Sequence, residues 1–138
     1  MAAGKAGPIR CLNPPGLATP PGYSQVVDVQ ASRIIFIAGQ TALDRDGELV
    51  GRNDFARQAD QVFRNLSAAL QSAGCTAGNL VKLTVFLRDM VHLSAYREAQ
   101  NRFFATTTPP TAPAVTLVEV SRLYGPDFLI EIEAVAAI

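Results

Sequence analysis

Residues 113–138, PAVTLVEVSRLYGPDFLIEIEAVAAI, decide how the rest of the chain is read. Two β-rich runs, Ala114–Val120 and Phe128–Ala136, flank a turn carrying Gly125, Pro126 and Asp127, the pattern of two strands joined by a loop. Side chains alternate along a strand. Phe128, Ile130, Ile132, Ala134 and Ala136 therefore share one apolar face, and Leu129, Glu131, Glu133 and Val135 share the other. At a rise of about 3.3 Å per residue the two glutamates lie about 7 Å apart, close enough to raise one another's proton affinity where water is partly excluded. Two readings of the pair stand side by side: a general acid/base pair in a site, or the wet face of an edge strand.

Upstream, Leu80–Leu87 (LVKLTVFL) reads as a strand with Val81, Leu83, Val85 and Leu87 on one face and Lys82 and Thr84 on the other. Between it and the closing pair, Asp89 is placed to cap a helix whose inward stripe is Leu93, Tyr96, Ala99 or Gln100, and Phe103, ended by Thr106–Thr111 with Pro109 and Pro110. Earlier still, Phe55, Ala59, Val62, Phe63, Leu66, Ala69, Leu70 and Ala73 recur at helical spacing, with Asn53 or Asp54 as N-cap and Gly74 as stop. Thr41–Arg52 is a loop. Tyr23–Val29 and Ile34–Ala38 are short strands, and Gln30–Arg33 between them suits a hairpin connection. Gly39 and Gln40 follow the second of these; the glycine either lets the backbone approach a ligand closely or ends the strand in a bulge. Residues 1–22 carry glycines and prolines at a density that forbids helix or central strand, which predicts an irregular arm before a single domain over 23–138.

A chain of 138 residues is one domain in size. Its 12 basic and 12 acidic residues cancel and form no basic patch, which argues against a nucleic-acid partner. Cys11 and Cys75 have no metal-ligand spacing, no leader-like segment opens the chain, and no apolar run is long enough to span a bilayer. The expectation is a cytoplasmic protein with reduced thiols and no membrane partner. The charged share, 17%, is low for a small soluble domain, and the apolar share is 49%, so the chain has surface to cover, most simply between subunits. The order strand, strand, helix, strand, helix, strand, strand gives too few helices for both sheet faces, which points the same way. His92, the only histidine, has no catalytic neighbour in sequence and reads as a solvated surface residue, and neither cysteine has a base beside it.

The residues Gly22-Tyr23-Ser24-Gln25, Ala38-Gly39-Gln40, the run NLVKLTVFLRD at 79–89, and above all PAVTLVEVSRL followed by LIEIEAVA, resemble the RidA/YjgF family of reactive-intermediate deaminases from about Pro14 to the C-terminus. The resemblance implies an α+β, chorismate-mutase-like fold, a mixed sheet with two helices on one face, and a homotrimer whose sheets form a central barrel. It also implies a small-molecule ligand in clefts between subunits and hydrolysis of enamines and imines without metal or organic cofactor. By the same resemblance Glu131 orients the attacking water, Tyr23 covers the site, Ala38 stands where the family has a serine before Gly39 and Gln40, and Arg97 stands for an asparagine on the second helix. The arginine that clamps the substrate carboxylate corresponds to Val115. Loss of such a bidentate contact costs on the order of 2–5 kcal/mol unless another cation replaces it. A cleft lined by Ala38, Val115 and Leu117 suits a larger or less acidic ligand, with Arg97 as the candidate replacement. The expected functions are a divergent deaminase or a trimeric metabolite-binding protein without turnover. Ribonuclease activity, historically attached to the family, needs cations for phosphates that this neutral chain lacks.

Overall fold

The computed structural model describes residues 9–107 and 111–138. Six strands and two helices follow in the order β1 (Ile9–Leu12), β2 (Val26–Val29), β3 (Ile34–Gln40), α1 (Phe55–Ser72), β4 (Leu80–Leu87), α2 (Leu93–Phe104), β5 (Ala114–Glu119) and β6 (Ile130–Ala137), with short 3-10 turns before β4 and α2. The main sheet runs β3-β6-β4-β5; β4 and β5 are parallel, joined across α2, and β6 is antiparallel to both of its neighbours. This is the α+β arrangement expected, a mixed sheet with both helices packed on one face.

The helix α1 forms where the 3.6-residue stripe lies. The Asp54 side chain accepts from the Arg57 amide at 3.2 Å as N-cap, and Gly74, in the left-handed region at φ 74°, follows the C-terminus. Its inner face buries Phe55, Ala59, Val62, Phe63, Leu66 and Leu70 against the sheet, and each fully buried leucine contributes about 1.5–3 kcal/mol. Gln58 is buried on the same face. Its amide donates to Gly51 O (3.1 Å) and Asp127 O (2.9 Å), and its carbonyl accepts from the Leu129 amide (2.9 Å), so one side chain joins the loop before α1 to the turn before β6.

The strand β6 is at the centre of the sheet, and its alternation holds: Ile130, Ile132, Ala134 and Ala136 are buried, and so is Phe128 just before it. In β4 the inward set is Leu80, Leu83, Val85 and Leu87; Val81 is displaced from it because the pairing with β6 slips between Leu80 and Lys82. In α2 the buried residues are Tyr96, Ala99, Gln100 and Phe104, with Phe103 only partly covered and stacked on Phe63 at 4.7 Å. Asp89 caps the 3-10 turn ahead of α2 through the Val91 amide at 2.8 Å rather than α2 itself. The expected stop at Pro109 and Pro110 lies outside the described residues.

Two expectations for the N-terminal third are corrected. β2 and β3 do not form a hairpin: β2 pairs with β1, while β3 pairs with β6. The C-terminus competes for the entry to β3, because the Ser32 and Arg33 amides both donate to Ile138 O (2.8 and 3.0 Å) and Ile138 N donates back to Arg33 O (3.0 Å). The arm is not wholly irregular. Residues 9–13 carry no glycine or proline, and β1 forms there as one strand of an edge ribbon, where a proline-flanked strand is tolerated.

Candidate functional site

Register decides which predicted site residues meet. Residues paired directly across neighbouring strands point to the same side of a sheet. Val115 pairs with Leu83, and Leu117 with Val85, both inward residues of β4, so Val115 and Leu117 face the helices. Glu131 pairs with Phe86, and Glu133 with Thr84, residues of the opposite face. Glu131 and Val115 therefore lie on opposite faces of one chain's sheet, and the candidate residues divide into two groups.

The first group lines a cleft of about 340 Å³ between β5, α2 and the arm, where Tyr23, Arg97, Val115 and Leu117 come together with Pro21, Met90, Leu93, Tyr96 and Gln100. The arm is held over the cleft by backbone and side chain alike. The Ser24 amide donates to Pro113 O (3.0 Å), the Ser24 hydroxyl donates to Ala112 O, and the Gln100 amide donates to Gly22 O (3.0 Å). Tyr96 is buried, donates its hydroxyl to Gln100 Oε1, and is kept protonated well above the ordinary phenol range by burial. Arg97 is exposed at the rim, and no ion pair among the described residues uses it.

The second group is on the open face. From Ile37 to Gln40 β3 advances three steps while β6 advances two, from Ala134 to Ile132, so β3 bulges at Ala38 and Gly39. The bulge is present but does not end the strand, which runs on to Gln40, and the group that approaches Gly39 closely is a side chain of the same chain. A Cβ on Gly39 would sit 2.9 Å from Glu131 Cδ and 3.1 Å from Cγ, so the carboxylate occupies the space that glycine leaves. The Gln40 amide folds back onto Ala38 O at 3.0 Å. Partial burial raises the proton affinity of Glu131 above the ordinary carboxylate range, and the Glu133 charge raises it further. Nearby on this face Lys82 has its pKa lowered by desolvation, an effect opposed by Glu133, and donates to Thr116 Oγ1 at 2.7 Å. β6 is paired on both sides, so Glu131 and Glu133 are not on an edge strand; Glu133 is exposed on the open face and Glu131 is half-buried.

Beyond Gly39 and Gln40 the surface opens into a hollow of about 470 Å³ that also contains Thr41, Asn65 and Tyr124. Tyr124 was not singled out by the sequence, yet its hydroxyl lies 2.7 Å from Thr41 Oγ1 and its ring meets the Phe128 ring edge-on at 4.7 Å, fixing a side chain that is 70% exposed. The only signal was an aromatic residue directly before the Gly125-Pro126 turn. His92 is half-buried rather than fully solvated as expected; its ring stacks on Phe55 at 4.4 Å and an interplanar angle of 5°. Cys75 is buried and Cys11 exposed, both as free thiols. Among the described residues no three His, Cys, Asp or Glu side chains gather where a metal could be held, and no helix is long and apolar enough to cross a membrane.

The geometry can be set beside known proteins. The family model "Endoribonuclease L-PSP" matches residues 16–138. A RutC family protein of Synechocystis is 42% identical over 117 residues, covering 84% of this chain and 85% of that one. The 2-iminobutanoate/2-iminopropanoate deaminase of Escherichia coli is 37% identical over 115 residues, covering 83% and 85% respectively. Among solved structures, the Rid family protein YyfB of Yersinia pestis superposes with a TM-score of 0.86 at 32% identity, covering 96% of this chain and 100% of that one. By sequence and by fold, the chain belongs to the RidA/YjgF family, the endoribonuclease L-PSP family.

Proposed function

We propose that this protein is a hydrolytic deaminase of imine- or enamine-type intermediates, acting where the Glu131 group of one copy meets the Tyr23–Arg97–Val115 cleft of another in a homotrimer. The observation that carries this reading is the Glu131 carboxylate lodged against Gly39 with a raised proton affinity, on the sheet face opposite the helices. That face exposes Phe36 at 79% and Ile34 at 60%, apolar side chains that a neighbouring subunit would cover. The name of the Escherichia coli relative, an iminobutanoate and iminopropanoate deaminase, supports the reaction class.

In the reaction, water adds across the C=N bond. Glu131 as carboxylate takes a proton from the attacking water while the water oxygen bonds to carbon, and it returns that proton to the nitrogen to give the carbinolamine. Glu131 then carries the hydroxyl proton to the nitrogen as the C–N bond breaks, so that ammonia leaves, the ketone forms and the carboxylate is regenerated. A group that alternately accepts and gives a proton near neutral pH works best with a pKa moved toward that pH, the direction found for Glu131. No metal or organic cofactor has a part in these steps.

The substrate preference is non-standard in this reading, because Val115 occupies the position of the family's carboxylate-binding arginine. The same residue favours a second reading, a trimeric metabolite-binding protein without turnover. Ammonia release from freshly generated imino acids separates the two. The deaminase reading requires that wild type accelerate release and that Glu131→Ala abolish the acceleration; equal rates with both proteins would leave the binding role.

A further inference from the structure

The cleft between β5, α2 and the arm has an uneven distribution of polar groups, and this bears on what it holds. Its floor and walls are aliphatic at Val115, Leu117, Leu93 and Met90. Its buried polar groups are consumed internally: the Tyr96 hydroxyl donates to Gln100 Oε1, and the Gln100 amide donates to Gly22 O. A ligand carboxylate pressed against these aliphatic walls would lose its hydration, and the buried Tyr96 and Gln100 groups are already paired with one another and with the arm. Within one chain, Arg97 at the rim is the one charged residue lining the cleft among the described residues. The volume, about 340 Å³, is roughly twice what a three-carbon imino acid fills at about 30 Å³ per heavy atom, the share of a water in the liquid.

Resting on the deaminase reading for the reaction but not for the binding, we propose that the cleft selects monoanions with a branched or aromatic body, the imines and 2-oxo acids of large apolar amino acids. Their carboxylate meets Arg97 at the rim and their hydrocarbon lies against Val115 and Leu117. Val115 sets the preference by presenting apolar wall, and Arg97 supplies the charge from the rim.

Calorimetric titration of the full chain with pyruvate, 4-methyl-2-oxopentanoate, phenylpyruvate and the uncharged 4-methylpentanamide tests this. The larger acids bind at least tenfold tighter than pyruvate, the factor expected when about two more methylene-sized groups leave water. Arg97→Gln, an exposed substitution compatible with folding, weakens the larger acids tenfold or more and leaves the amide unchanged. Val115→Arg moves the preference toward pyruvate; Arg97→Gln keeps the test decisive if that variant fails to fold. Pyruvate binding as tightly as the larger acids, no binding by any of them, or Arg97→Gln without effect would each overturn the proposal. Ammonia release is measured separately on the matching imines. Selective binding with no release sinks the deaminase reading alone, and release at equal rates from small and large imines without binding preference sinks the selectivity alone.

Discussion

Replacing Gly39 by alanine should separate activity from stability. The Cβ that alanine adds would lie 2.9 Å from Glu131 Cδ and 3.1 Å from Cγ, whereas carbon atoms pack at about 3.5–4.0 Å. The carboxylate must then retreat by about 1 Å. The Gly39 φ is not in the left-handed region, so the backbone accepts a side chain, and the group displaced is the free end of a partly exposed chain. Stability should change by less than about 1 kcal/mol, since glycine within a strand is itself less favourable than alanine by roughly 0.5–1 kcal/mol. A melting temperature within a few degrees of wild type is the expected sign. A displacement of about 1 Å of a water-orienting group costs on the order of 10²-fold in rate. The assay is kcat/KM for imine hydrolysis beside a thermal melt, with Glu131→Ala and the double variant completing a cycle; the two losses should not add, because both act through one carboxylate. Full activity in Gly39→Ala, or a double variant losing the product of the single losses, would refute the role given to this contact.

Other outcomes follow from the same coordinates. Glu133→Gln removes the second cause of the raised Glu131 proton affinity and leaves the first, desolvation, so the acid limb of the kcat/KM profile should move to lower pH but stay above the ordinary carboxylate range; an unmoved limb would remove Glu131 as the titrating base. The matching stability effect has a definite sign. A carboxyl with a raised folded pKa disfavours folding as pH rises from its unfolded pKa through its folded one, so Glu131→Gln should gain stability over wild type across that window and match it below, as read by denaturant melts at several pH values. Gln58→Leu strands Gly51 O, Asp127 O and the Leu129 amide, and should cost about 2–4 kcal/mol in urea unfolding; a loss below about 1 kcal/mol would mean that the Gln58 bridge contributes little.

What was legible in the sequence was local periodicity. The alternation of β6, the limits of β4 and the stripe of α1 with its Asp54 cap are each set by neighbours a few residues away, and each appears in the fold. Pairing over long sequence distance was not legible. The partner of β2 is β1 because Ile138 and β6 capture the start of β3, and nothing between residues 23 and 38 encodes that. A one-residue slip moved Leu80 into the core in place of Val81, since a bulge exchanges faces. The candidate site had the same difficulty on a larger scale. Tyr23, Arg97, Val115 and Leu117 gather as a group, and so do Gly39, Gln40 and Glu131, but the register of β4 with two neighbours puts the groups on opposite faces. Residue identity named the candidates; only the sheet showed that one chain divides them between two faces.

Subunit complementation addresses that division most directly. Glu131→Ala leaves the cleft intact, and Arg97→Ala leaves the Glu131 group intact, so each alone should be impaired in imine hydrolysis. If each site takes one group from each of two copies in a closed ring, co-refolding the two variants in equal amounts makes about a quarter of the sites whole, and about a quarter of wild-type ammonia release should return. A mixture no more active than the two variants measured apart would contradict a site shared between copies.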